Sequence, residues 1–257
     1  MRIYLGFDDT DDKDAPIGTG RLVRDFVYGL DSDYQLIGVI RHQLPRLSEI
    51  PFTSNNSSAC AILDVNPDMS LEHIKKLAIK HIEAYCAPGS DPGLCIARES
   101  EVGNEIVEFA KVVTGKQVTQ KDAMKAAHSV KLFGLGGTND GIIGATAAIG
   151  LTKFGWCGRF IEYGKLRDLS TPLHVQDLNN AGIEVVSTDR DPLVPLPQDL
   201  IQNAIWIRPS LWAGKPILQV THIDQGIWEP AHGKRKKNHN FKPQPVSPST
   251  TAPYSAG

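Results

Sequence analysis

The leading segment constrains this chain most. An apolar run over residues 1–7 reads as a buried strand and ends in Asp8-Asp9-Thr10-Asp11-Asp12, and a Gly18-Thr19-Gly20 step then opens a helical pattern. Carboxylates crowded at the mouth of a strand repel one another. A divalent cation is the usual remedy, and hard oxygen ligands suit magnesium. Small residues at a helix start leave backbone N–H groups open to an anion such as phosphate. Together these features read as a magnesium–nucleotide site. The plainer alternative is an acidic loop ahead of an ordinary helix cap.

Periodicity organises the rest. Residues 19–30 place Leu22, Val23, Phe26, Val27 and Leu30 on one helical face. Residues 34–41, 59–65, 94–98, 159–165 and 183–187 read as strands, and 131–135 lead into a glycine-rich segment. Residues 70–86 form an amphipathic helix with Leu71, Ile74, Ala78, Ile82 and Tyr85 on its inner stripe. Residues 104–113, 142–151 and 175–180 are also helical, and Thr119 with Asp122 makes a capping-box start for a helix running to about Ser129. Residues 204–208 and 217–222 read as two strands joined at Gly214-Lys215-Pro216. Interleaved strands and helices argue an α+β class with α/β-like interleaving. We expect a boundary near residue 130, giving a first domain over 1–129 and a second over 130–232 with a C-terminal hairpin. The strand-helix-strand-helix-strand order of the second is compatible with a ferredoxin-like unit. Residues 233–257, basic and then Pro/Ser/Thr-rich, are expected to be disordered.

A net charge of −2 removes any global basic field, so an RNA contact needs a local patch. Cys60, Cys86, Cys95 and Cys157 are scattered without a C-x-x-C pair, which argues against a zinc ribbon and fits a reducing compartment. No apolar run reaches the roughly 18 residues of a membrane span. A charged residue follows Met1 at once, with no signal-peptide pattern, so a cytoplasmic location is expected.

Asp8 and Asp11 are the favoured magnesium ligands, with Asp9 a further candidate. Alternatively Asp9 or Asp12 caps the following turn. Thr19, between Gly18 and Gly20, is expected to present an open hydroxyl that bonds a phosphate or is itself phosphorylated; a simple N-cap is the alternative. The glycine-rich stretch 134–144 reads as a second phosphate-contacting turn at a helix N-terminus, with Thr138, Asn139 and Asp140 its ligand-facing residues. It departs from G-x-G-x-x-G because Asn139 takes the third glycine's place, and it lacks the Gly-Lys-Ser/Thr of a P-loop. The polar run 53–58 reads as a base- or ribose-contacting loop or a solvated turn. His42, just after a strand, is the histidine to watch. Lys234-Arg235-Lys236-Lys237 could touch an RNA backbone or simply solubilise a tail.

These residues carry a family resemblance. Gly6-Phe7-Asp8-Asp9-Thr10-Asp11 resembles the G-I-D-D-T-D opening of the archaeal agmatidine synthetases, which modify a cytidine in an isoleucine tRNA anticodon. Gly141-Ile142-Ile143-Gly144-Ala145, continued by Ala147-Ala148-Ile149-Gly150, resembles that family's G-L-I-G-A-L-A-A-I-G stretch. Phe160-Ile161-Glu162-Tyr163 lies where the family has a tyrosine-rich strand. The likeness spans roughly residues 1–190. It implies a kinase-like domain followed by a ferredoxin-like domain, with ATP and magnesium as cofactors. Asp8, Asp9 and Asp11 would then serve magnesium and ATP, and Thr19 would inherit a phosphorylated threonine. The family's Cys-Thr-Thr step stands here as Gly18-Thr19-Gly20. Its OB-fold and zinc ribbon have no counterpart, which implies a shortened homologue.

The expected function is therefore an ATP- and magnesium-dependent phosphotransferase or ligase-type enzyme related to tRNA cytidine modification, with ATP and a tRNA or other acceptor as partners. The alternatives are a non-catalytic nucleotide- or RNA-binding module and a metal-dependent phosphohydrolase.

Overall fold

The first strand divides its residues between two sides of a sheet. In β1 (Arg2–Asp8), Ile3, Leu5 and Phe7 go to one face, and Tyr4, Gly6 and Asp8 to the other. The structure is a computed structural model that describes residues 1–50, 55–169, 172–188, 193–202 and 207–231. The first face is covered by α1 (Thr19–Tyr28), whose Leu22, Val23, Phe26 and Val27 pack on Phe7. β2 (Tyr34–Gln43) and β3 (Ser57–Val65) follow, with α2 (Leu71–Tyr85) set beside α1 through Ile74, Ala78 and Ile82. Ser70 caps α2 by accepting the Glu72 N–H.

β4 (Gly93–Arg98) and β3 flank β1, both antiparallel. The second face is covered by α3 (Asn104–Val113) and α5 (Gly141–Phe154), with α4 (Gln120–Ala126) packed behind them. β5 (Lys131–Gly134), between α4 and α5, pairs with β4, and β6 (Arg159–Tyr163) pairs with β2. Close approach explains the small residues of α5: a Cβ on Gly6 would lie 2.1 Å from the Ala145 carbonyl oxygen.

The sheet then continues. β7 (Leu173–His174), α6 (Val175–Asn180), β8 (Glu184–Ser187), β9 (Leu200–Ile201), β10 (Ser210–Trp212), β11 (Lys215–Asp224) and β12 (Ile227–Pro230) extend it beyond β6. The strand order is β5-β4-β1-β3-β2-β6-β10-β11-β12-β9-β7, with β8 parallel to β11. This part has its own core of Leu166, Leu178, Ile183, Leu218, Val220 and Trp228. The architecture is thus mixed α and β, built on one large, mostly antiparallel sheet.

Three expectations change. Tyr85 is 60 % exposed instead of lying on the inner stripe of α2, which ends at Ile82. α4 stops at Ala126, three residues before Ser129, where the chain turns toward β5. The hairpin turns at Ala213-Gly214, both at positive φ, with strands at 210–212 and 215–224, while residues 204–206 lie outside the described residues. Residue 130 falls between strands of the same sheet. Residues 53–54 and the tail from 232 also lie outside the described residues.

Candidate functional site

β1 delivers the Asp8 carboxylate against the first turn of α5. A Cβ on Gly144 would lie 1.8 Å from Asp8 Oδ2, so only glycine leaves room for the acid there. Asp9 follows in the left-handed region, φ 51, and turns the chain out of the strand. The backbone amide of Asp9 lies toward the Asp8 carboxylate and that of Asp91 toward the Asp9 carboxylate, each opposing the rise in proton affinity. Asp11 lies at the N-terminus of α1, where the Thr19 backbone amide favours its ionised form and a Cβ on the cap residue Gly18 would come within 2.9 Å of its Oδ2.

Thr19 is 6 % exposed, and its Oγ1 accepts from Thr10 Oγ1 at 3.1 Å. Its hydroxyl oxygen is thus engaged by Thr10, while the residue borders the cavity between β1 and α1. A Cβ on Gly20 would lie 2.9 Å from Ile161 Cδ1, so this glycine serves packing of α1 on the sheet.

Asp91 was not foreseen. Its carboxylate accepts the Thr138 N–H at 3.0 Å and the Thr138 hydroxyl at 2.5 Å. Its carbonyl accepts the Gly141 N–H at 3.1 Å. Gly137, at φ 55, leaves space for this carboxylate. The next N–H groups of α5 are also satisfied locally, Ile142 to the Asn139 carbonyl and Ile143 to that of Asp140, at 3.2 and 3.0 Å. Asp140 accepts from Gln120 Nε2 at 2.6 Å.

Asp8, Asp9, Asp11, Thr19 and Asp140 line one cavity of about 770 Å³, together with Asp91, Asn55, Asn56 and Ser57. Gly18, Gly20, Thr138 and Asn139 are not in its wall. Thr138 holds Asp91 in place, and Asn139, at φ 66, lays its side chain against Gly134. The lining cations are Lys13 and Lys116.

Confinement raises the affinity of these acids for protons. Burial, then the nearby Asp9, pushes Asp8 up to about 8. Burial, then Asp91, Asp11 and Asp140, pushes Asp9 up to about 6. Burial raises Asp11 against the opposing pull of the Thr19 N–H. At neutral pH the cluster therefore favours a bound proton or a cation. Among the described residues no group of three or more His, Cys, Asp or Glu is arranged to hold a metal. Magnesium does not require one: it is commonly held by one or two carboxylates, with waters and phosphate oxygens completing its shell.

No family model matches the chain, and neither does any curated protein sequence. Solved structures do. Over 58 % of its length the chain superposes on apo TiaS, a tRNAIle2 agmatidine synthetase, at 18 % identity and a TM-score of 0.50. It superposes over the same share on a tRNA fluorescent labeling enzyme at 20 % identity and a TM-score of 0.50. The chain spans 35 % and 36 % of the lengths of those two structures. The likeness is one of fold, and it agrees with the resemblance carried by Asp8-Asp9-Thr10-Asp11 and Gly141–Ala145.

Proposed function

We propose that this chain is an ATP- and magnesium-dependent phosphotransferase or ligase-type enzyme related to tRNA cytidine modification. The observation that carries this reading is the meeting of Asp8, Asp9, Asp91 and Asp140, from the end of β1, the turn before β4 and the start of α5, around one cavity. The fold shared with a tRNA-modifying synthetase supports it. The division into a kinase-like part followed by a ferredoxin-like part belongs to the same proposal.

Asp8 and Asp9 would hold magnesium, and a bound magnesium would neutralise charge on the phosphates of ATP. Asp11, at the α1 N-terminus and on the wall of the same cavity, is a further candidate for the metal. Asp91 anchors residues 134–140 through Thr138, which keeps α5 and Asp140 at the rim. Lys13 and Lys116 give the wall its positive charge, and Asn55 and Asn56, held by Arg46 and the Pro45 carbonyl, border it where a base or ribose would lie. Thr19 accepts from Thr10 and keeps its own hydroxyl hydrogen to donate to a phosphate in the cavity it lines. Catalysis on this plan is positional and electrostatic.

The test is turnover of ATP with magnesium and candidate acceptors, followed by product analysis. Asp8→Asn combined with Asp9→Asn is expected to lower the rate by roughly 10²-fold or more. Unchanged turnover in that double variant would overturn the metal assignment. Mass spectrometry of the same incubation reads whether the peptide containing Thr19 gains a phosphoryl group.

A further inference from the structure

A second cavity, of about 610 Å³, is lined by Arg41, Arg159 and Arg208, with Lys111, Phe154 and Trp212 also in its wall. It adjoins the acidic cavity along β2: Arg41 Nε donates to Ser57 Oγ at 2.9 Å, and Gln43 Nε2 donates to the Leu44 and Asn56 carbonyls at 3.0 and 2.5 Å, with Ser57, Leu44 and Asn56 lining the other side. We propose that this second cavity is a nucleotide phosphate site, in which Arg41, Arg159 and Arg208 seat the anion and an aromatic side chain faces the base. The proposal stands apart from the reading of the acidic cavity.

The strand register creates the site. The β2–β6 pairing sets Arg41 directly opposite Arg159, and the β6–β10 pairing sets Ser210 opposite Arg159, with Arg208 two residues before it. The charge that Arg41 and Arg159 both feel is that of Arg208. Burial is the largest influence on both Arg41 and Arg159, and repulsion from Arg208 adds to it, so both guanidinium groups sit below their ordinary affinity for protons. At Arg41 the repulsion from Arg208 and Arg46 outweighs the attraction of Asp11. His42 in the same wall adds no charge of either sign: burial holds its ring neutral, at about 3. The sheet therefore gathers positive charge around a concavity, and an anion relieves the repulsion. Arginine's fork of donors matches phosphate oxygens.

The aromatic groups narrow the ligand. Trp212 is 42 % exposed, and Lys111 Nζ lies 4.5 Å from the centroid of the Phe154 ring. Exposed rings beside cations are the elements of a base-stacking platform. A phosphate ester carrying an aromatic base meets both demands. It can be a free nucleotide or one residue of a single strand.

The test titrates the full chain with AMP and, separately, with a short single-stranded oligoribonucleotide, by calorimetry and thermal shift without magnesium. Arg159→Gln and Arg41→Gln are each expected to weaken binding about tenfold or more. Each should also leave the melting temperature of the free protein unchanged or raised, because a repulsion is removed. Binding of AMP identifies a mononucleotide site, and binding of the oligomer alone identifies a strand site. Asp8→Asn, which alters the acidic cavity, should leave this binding in place, so the two proposals fail separately. Binding of neither probe, binding indifferent to both arginine variants, or a lowered melting temperature in both variants without ligand would overturn it.

Discussion

Asp8 ends a strand whose neighbours on the same face are Tyr4 and Gly6, so its carboxylate enters a wall otherwise packed against α5. Its folded affinity for protons, at about 8, lies above the ordinary carboxyl value of 3.8. A raised folded value means that the native state binds the proton more tightly than the unfolded chain. That contribution to stability is full below about pH 4 and is lost as pH rises through 8; Asp9, at about 6, adds to the same trend. Asp8→Asn removes the ionisation. It should flatten the decline in melting temperature between pH 5 and pH 8.5 and, at the upper end, stabilise the metal-free protein by on the order of 2 kcal/mol. Thermal unfolding across that range checks it, and an equal slope in wild type and variant contradicts the burial of Asp8. Asp8, Asp9 and Asp11 were legible in the sequence because their crowding is local. Asp91 was not, since nothing in its own turn marks it. It belongs to the site because β4 runs beside β1 and places the acid before one strand next to the acid that ends the other.

α5 shows what an element's composition reveals and what it hides. Its run of glycine, alanine and isoleucine announces a helix packed at close quarters, and it is buried around nearly its whole circumference. The pattern does not disclose which residue touches what. Gly144 would be replaced favourably by alanine in an exposed helix, by about 1 kcal/mol. Here the added methyl would meet Asp8 Oδ2 at 1.8 Å and Asp8 Cβ at 2.9 Å. Gly144→Ala is thus expected to destabilise by about 1–3 kcal/mol, against its propensity, and to displace Asp8. Denaturant unfolding measures the first effect, and loss of the pH-dependent slope reports the second. A stabilised variant would show that Asp8 does not lie against α5. The other elements were readable wherever a single face is buried, as in α1 and α3. Reading failed at ends: Tyr85 continues the stripe of α2 by spacing, yet it packs at a tilt of 48° against His81, with ring centroids 4.7 Å apart, on the exposed side.

At the scale of the molecule, one sheet joins two cores. Interleaved patterns revealed the class but not the strand order, because pairings such as β2 with β6 link residues more than a hundred positions apart. The expected boundary at 130 lies just before β5. The narrow place comes later, where β6 meets β10 through the Arg159–Ser210 pair and two neighbouring backbone bonds, Phe160 N–H to the Pro209 carbonyl at 2.8 Å and Leu211 N–H to the Gly158 carbonyl at 3.0 Å. Beyond it, Trp228 is 2 % exposed and anchors the second core, its Nε1–H donating to Asp199 Oδ2 at 2.8 Å. Trp228→Ala removes a large buried ring and leaves Asp199 without that donor, a loss of about 3–5 kcal/mol. The loss should be felt on one side of the narrow place first. Native-state hydrogen exchange of this variant is expected to show β8, β12 and the distal half of β11 exchanging through a partial opening, while β1 and β3 keep wild-type protection. The arginines Arg41 and Arg159 lie on the near side and would stay in register through that opening. Equal loss of protection in β1 and β12 would mean that the two cores unfold as one, and that the junction between β6 and β10 transmits the whole of the disturbance.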